Sequence, residues 1–254
     1  MKQLLFLLPI LALSTFAQAE TRRRLYIVTE SSPPSAMMGE QGVTGFATDK
    51  IRFMLGRLGI GYDIDMLPWK RAYLTAQTRP DTCVYSTTRV PEREALFKWV
   101  GPTHENDWTL FGRADRNYGI ATIEDARRYR IGAYNSDVRS EALIAQGFIV
   151  DTVQDKLSNP RKLLVNRIDL WASGMRVGSA IVAENGWSGK IVPVLTFKRT
   201  DLYLACHPSV PDDLIAKMNA TLRAMKSEGV SAAIERRYHY SAPSGHRESL
   251  HAPR

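Results

Sequence analysis

An arginine flanked by two acids, Glu92-Arg93-Glu94, follows a run of hydroxyls, Ser86-Thr87-Thr88. A guanidinium is a planar fork of donors that matches the two oxygens of a carboxylate. Hydroxyls and nearby backbone N–H groups can complete such an anion site. On residue type alone Arg93 can equally pair with Glu92 or Glu94 on a helix, and Ser and Thr are ordinary turn residues. Trp69 can form the flat wall of a cleft or fill a core, and Arg71 can contact an anion or face solvent. Asn135-Ser136-Asp137 can cap a helix, and a helix N-terminus attracts anions. Glu30, His104 and Glu105 are the candidates for general acid or base work. No nucleophile elbow, metal-ligand spacing or phosphate loop accompanies them, so no catalytic residue, metal or cofactor is expected.

The elements that must position these residues alternate. Arg24 to Thr29 is rich in β-formers and predicts a first strand, ended by Ser31-Ser32-Pro33-Pro34. Gly42 to Phe46 predicts a loop. Ile51, Met54, Leu55 and Leu58 follow helical spacing up to Gly59. Tyr62 to Met66 predicts a strand, Trp69 to Thr78 a helix and Thr82 to Tyr85 a strand. This β-α-β-α-β order argues for a parallel sheet covered by helices. A second unit follows: strands at Arg130 to Tyr134, Phe148 to Val150, Ile168 to Trp171 and Lys190 to Leu195, with helices near Val138 to Gln146, Arg161 to Val165 and Val177 to Glu184. Trp108 to Arg113 and Thr196 to Ala205 read as extended connections between the units. A long helix from Pro211 to Lys226 and a short one from Ser231 to Tyr238 close the pattern.

The ends of the chain read differently. Met1-Lys2, the apolar run Leu4 to Ala12 and Ala17-Gln18-Ala19 have the parts of a signal peptide cleaved after Ala19. The apolar run is too short to span a bilayer, so an uncleaved anchor is the weaker reading. Residues 241–254 carry almost no apolar side chains and read as a disordered tail. The chain is 44% hydrophobic, enough for packed cores, and its formal charge is +8. The basic clusters are scattered and not interleaved with aromatics, so nucleic acid is not an expected partner. Cys83 and Cys206 are the two cysteines; in an exported protein they can be bonded or stay as separate buried thiols.

Four stretches carry a resemblance to one family. "PPSAMMGEQGVTGFATDKIRFMLGRLGI", "LPWKRA" with "DTCVYSTTRVPEREALFKWVGP", "YRIGAYNSDVRSEAL" and "DLYLACHPSVPDDLIAKMNATLRAMKSEGVSAAIERRY" resemble, in that order, the extracellular solute-binding proteins of family 3. Each motif is loose, but their order and spacing together are fairly specific. The resemblance implies an α/β fold with two lobes, of the type II periplasmic-binding-protein kind, each lobe a mainly parallel sheet with flanking helices, joined by two crossover hinges. Lobe one would be residues 20–111 with 200–240, and lobe two residues 112–199. The strand after the return crossover would lie beside the third strand, which implies a Cys83–Cys206 disulfide.

The same resemblance gives the residues roles. Arg93 would hold a ligand carboxylate, with Ser86 and Thr88 beside it. Trp69 would wall the cleft, Arg71 would add an anion contact, and Ser136 and Asp137 would present the N-terminus of a lobe-two helix. α-Amino-acid binders of the family commonly grip the ammonium with an acid a few positions after the lobe-two Asp. Here Asp169 is followed by Leu170-Trp171-Ala172-Ser173-Gly174, so Ser173 and Gly174 stand where that acid is expected. Glu30 or Asp137 can replace it, or the ligand is a carboxylate without an amine. The expected function is a monomeric periplasmic receptor that delivers a small carboxylate-bearing molecule to an inner-membrane ABC permease. A dehydratase-like enzyme on the same scaffold, and a ligand-sensing module without transport, are the competing readings.

Overall fold

The computed structural model describes residues 24–238. The expected signal peptide, residues 1–19, and the tail from 241 lie outside them. The chain forms β1 (Arg24–Thr29), a hairpin of β2 (Met37–Gly39) and β3 (Gly42–Thr44), α1 (Phe46–Arg57), β4 (Gly61–Met66), α2 (Trp69–Thr78) and β5 (Thr82–Thr88). A 3-10 turn at Pro91–Leu96 leads into the long β6 (Lys98–Arg113). The second unit is β7 (Ile131–Tyr134), α3 (Val138–Ala145), β8 (Val150–Val153), α4 (Ser158–Leu164), β9 (Leu170–Gly174) and α5 (Met175–Glu184). The long β10 (Ile191–Cys206) returns, followed by α6 (Asp212–Ser227) and α7 (Val230–Arg237).

All the strands except the hairpin belong to one sheet, in the order β4-β1-β5-β10-β6-β9-β7-β8. The outer pairs at both ends are parallel, as βαβ connections require, and the central β10 runs antiparallel to β5 and β6. Each half has its own cores on both faces. In the first half Leu25 and Ile27 pack under Ile51, Met54 and Leu55 of α1 and under Met218 and Met225 of α6. Val28, Val84 and Trp99 pack against Ala72 and Ala76 of α2 on the other face. In the second half Leu110, Ile131 and Leu170 lie under Leu143, and Phe111 and Trp171 lie under Leu163 and Ile181. The protein is thus a two-lobed α/β structure of the periplasmic-binding kind, with β6 and β10 shared by both lobes.

The shared ribbon defines the hinge. Leu202 pairs with Thr88 in the first lobe, and Trp108 pairs with Gly174 in the second. Between them Glu105, Asn106 and Asp107 pair only with Asp201, Thr200 and Arg199, a two-stranded neck. Trp108 to Arg113, expected as a connection, is instead sheet inside lobe two, and Lys190 to Leu195 and Thr196 to Ala205 are one continuous strand. Extended β-forming sequence looks the same whether it crosses between lobes or continues a sheet. Cys83 and Cys206 are opposite each other in β5 and β10 and are bonded.

Other boundaries also move. The strand expected to end at Tyr85 runs on to Thr88, and the strands expected at Phe148 to Val150 and Ile168 to Trp171 lie two or three residues later. The β2–β3 hairpin replaces an expected loop; three-residue strands carry too few alternations to announce themselves. α6 starts after Pro211, and Gly229 at φ +75° takes the left-handed turn into α7, a conformation open to glycine at little cost.

Candidate functional site

β5 breaks its regular twist just where its side chains leave the core. Ser86 sits at φ +60°, and the register with β10 shifts between Tyr203 and Ala205. A bulge of this kind re-aims a side chain. Here Ser86 lines a cavity between the lobes, and its buried Oγ has no hydrogen-bond partner among the described residues. Such an orphan is costly unless a ligand or water satisfies it. The cavity encloses about 70 Å³. Thr88, Trp69 and Arg93 line it from lobe one, and Asp137, Val138 and Arg139 from lobe two.

Arg93 is buried, on the 3-10 turn that follows β5. Its guanidinium lies over the rings of Tyr73, 4.9 Å away, and Trp69, 6.0 Å away. Its nearest carboxylate is Glu141 of α3, a loose 3.6 Å contact across the lobes, and that acid is 58% exposed. Glu92 and Glu94 do not take it; Glu94 binds Arg89 instead. The faces of the fork are therefore packed on aromatics, and among the described residues its edge makes no hydrogen bond.

Asp137 caps α3, accepting from the Arg139 backbone N–H at 2.8 Å. Arg139 then folds back and donates Nε and Nη2 to the same carboxylate, each at 2.8 Å. Burial pushes the Asp137 carboxyl up, but the Arg139 guanidinium outweighs it and holds the group below the usual carboxylate range. Ser136, at φ +57°, offers its carbonyl to the Trp69 indole at 3.2 Å. Glu30 is gripped by Lys156 of lobe two at 2.9 Å, and the Lys156 ammonium also reaches the Ser31 carbonyl. Burial raises the Glu30 carboxyl, partly offset by that ammonium. These contacts join the two lobes, so the structure is of a closed cleft.

Three expected residues do not line this cavity: Ser136, which supports Trp69 through its carbonyl, and Arg71 and Ser173, which lie elsewhere. Arg71 is exposed and borders a shallow hollow on the outer face of α2 with Lys70 and Leu74. Residues two apart on a helix face away from each other, so Trp69 facing the cleft turns Arg71 out. Ser173 faces an adjoining chamber of about 50 Å³ with Tyr134, Lys156, Asn159 and Trp171 of lobe two, which Glu30 and Ser32 close from lobe one. Glu30, Ser32, Arg139 and Val177 line both chambers. Sequence reasoning missed Arg139, Arg176, Asn106 and Lys156.

His104, a candidate proton carrier, is buried edge-on to Phe46, with centroids 5.0 Å apart, and its Nδ1 lies 3.1 Å from the Thr103 hydroxyl. Burial, then the Lys50 and Arg176 cations, lower its pKa to about 3. A histidine held neutral in the fold favours folding above its unfolded value of 6.5, and that contribution is lost as pH falls toward 3. The expected loss from pH 7 to pH 4 is about 3 kcal/mol, on a limiting slope of about 1.4 kcal/mol per pH unit. Urea midpoints across that range should show it, and His104→Gln should flatten the profile; an unchanged profile in that variant would contradict the assignment.

Among the described residues no helix is long and apolar enough to cross a membrane, and no group of His, Cys, Asp and Glu is arranged to hold a metal. No curated protein matches the chain. Among solved structures, a histidine kinase sensor domain with similarity to periplasmic binding proteins superposes at TM-score 0.78 with 17% identity, covering 85% of this chain and 96% of that one. An ancestral arginine-binding protein bound to arginine gives 0.74 at 20% identity, covering 86% and 100%. The arginine-, lysine-, histidine-binding protein ArtJ from the thermophilic bacterium Geobacillus stearothermophilus gives 0.73 at 15% identity, covering 87% and 97%. At these identities the likeness shows the fold alone. The sequence profile of the bacterial extracellular solute-binding proteins, family 3, matches residues 25–241, so the chain belongs to that family.

Proposed function

We propose that this protein is an exported receptor that captures a small carboxylate-bearing molecule, an amino acid or organic acid, between its lobes and passes it to an inner-membrane ABC permease. The observation that carries the reading is the pairing in one interlobe cavity of a buried Arg93 with an unbonded edge and a buried Ser86 hydroxyl without a partner. A carboxylate satisfies both at once, and Thr88 lies beside them. The lobe division is drawn at the neck, residues 105–107 and 199–201, a few residues ahead of the expected boundary at 111. The amino-acid-binding structures that share the fold support a ligand of this size. Binding rather than catalysis fits His104, which lines the cavity but, with its pKa lowered to about 3, is a weak base. A second reading, ligand sensing without transport, is favoured by one observation: a kinase sensor domain shares the fold.

The test is a thermal-shift panel on protein refolded to strip carried ligand, with amino acids, polyamines, sugars and carboxylates, backed by mass spectrometry of what co-purifies. A ligand at about 100 times its Kd adds about 2.7 kcal/mol, or about 5–10 °C for a chain of this size. A shift of that size with an acid or amino acid is expected; shifts only with sugars or polyamines would overturn the reading.

A further inference from the structure

The acceptors and donors around the cavity are not balanced. Its two half-buried acids are already charge-paired. Asp137 receives the backbone N–H, Nε and Nη2 of Arg139. Glu30 receives Lys156. Each is already charge-paired, so a ligand ammonium would have to share it with Arg139 or Lys156. Glu105, the remaining acid on the wall, is exposed. Donors, by contrast, are left over. Among the described residues Arg93 makes no hydrogen bond from its guanidinium, and Nη1 of Arg139 makes none either. Arg176 lines the same cavity, and its nearest carboxylate, Glu235 at 3.5 Å, is held at 2.5 Å by Lys50.

The position of Arg139 sharpens this. A Cβ placed on Gly174 would come 2.5 Å from Asn106 Oδ1 and 3.0 Å from Arg139 Nη1. The space into which an acidic side chain at 174 would project is therefore filled by a guanidinium and an amide. Gly174 is also the N-cap of α5, with no side-chain cap and no acid in the first turn, while Arg176 and Val177 of that turn border the cavity. The free N–H groups and positive end of this helix add to the two guanidiniums. α3, whose N-terminus borders the same cavity, has Asp137 as its cap. The uncapped α5 end, Arg139 and Arg176 together make a second region that asks for negative charge, distinct from Arg93.

We infer that the ligand carries two acidic groups and no ammonium: one group rests on Arg93 and Ser86, the other against Arg139, Arg176 and the start of α5. The inference rests on the receptor reading and narrows it to a small dicarboxylate or an equivalent dianion. An α-amino acid with a neutral or basic side chain brings an ammonium to a wall whose half-buried acids are already held by Arg139 and Lys156, so it must compete with those cations for them.

The test is calorimetric titration of the refolded full-length mature protein at pH 7 with unbranched dicarboxylates of four to six carbons, the matching monocarboxylates, and neutral and basic L-amino acids. A dicarboxylate should bind at least about tenfold more tightly than its monocarboxylate, the effect of one added charge-assisted contact. Arg176→Gln should narrow that ratio to less than about threefold. The ratio is read on one protein sample, so partial misfolding of the variant does not disturb it. A neutral or basic amino acid that outbinds every dicarboxylate in an Arg93-dependent way would overturn the dianion and leave the receptor reading standing. A dicarboxylate preference unchanged in Arg176→Gln, or no binding across the series, would also overturn it; the broader panel then decides the receptor reading separately.

Discussion

Arg93→Ala should abolish ligand capture while leaving the protein folded. Truncating one partner of a buried hydrogen-bonded charge pair costs about 2–5 kcal/mol, which is a loss of about 30-fold to several thousand-fold in affinity. The unliganded fold has less to lose. The one carboxylate near Arg93, Glu141, is 58% exposed and 3.6 Å away, so it stays solvated when the arginine goes. The stacking on Tyr73 and Trp69 is lost, a modest cost. Arg93→Lys should fall between wild type and alanine, because an ammonium keeps the charge but not the planar fork. Calorimetry reads the affinity and a melt of the unliganded variant reads the fold. A folded Arg93→Ala variant that binds within about threefold of wild type would place the carboxylate elsewhere.

The second large effect is on stability. The Cys83–Cys206 disulfide joins residues 123 apart, linking β5 to the end of the returning β10. Closing a loop of that length restricts the unfolded chain strongly, by about 5 kcal/mol. Both sulfurs are fully buried among Leu204, Val100 and Tyr85, so reductant reaches them only on unfolding. The double variant Cys83→Ala, Cys206→Ala should melt about 10–20 °C lower, at about 2–4 °C per kcal/mol. A drop of less than about 2 °C would mean that the returning strand is held by its β5 and β6 pairing alone.

Much of the scaffold was legible in the sequence because its signals are local. The Ile51, Met54, Leu55, Leu58 spacing marks α1, whose first three are fully buried, and Trp69 to Thr78 coincides with α2. The cysteine pairing came from the family resemblance, since nothing local in either segment links positions so far apart. The course of Trp108 to Arg113 was not legible: strand pairing is settled by partners elsewhere in the chain, and the ribbon's partner β9 begins only at Leu170. At the site, helix periodicity alone separates Trp69 from Arg71.

The missed arginines did leave a trace. Arg139 and Arg176 sit in the first turns of α3 and α5, where the helix dipole disfavours cations. A cation there needs a reason. For Arg139 part of it is Asp137, two residues before. For Arg176 the sequence offers no neighbouring acid, and its distant partner Glu235 is brought up only by the fold. A residue placed against its local preference is a signal of function that periodicity and motif matching pass over.

The central claim is that one ligand touches both lobes at the cavity between them. Hydrogen–deuterium exchange tests it directly, with and without the panel compound that raises the melting temperature most. The account predicts added protection on both walls at once: around residues 86–93 of lobe one, and around residues 136–141 and 174–178 of lobe two. Protection confined to one lobe, or spread over the outer helices with the cavity walls unchanged, would contradict it.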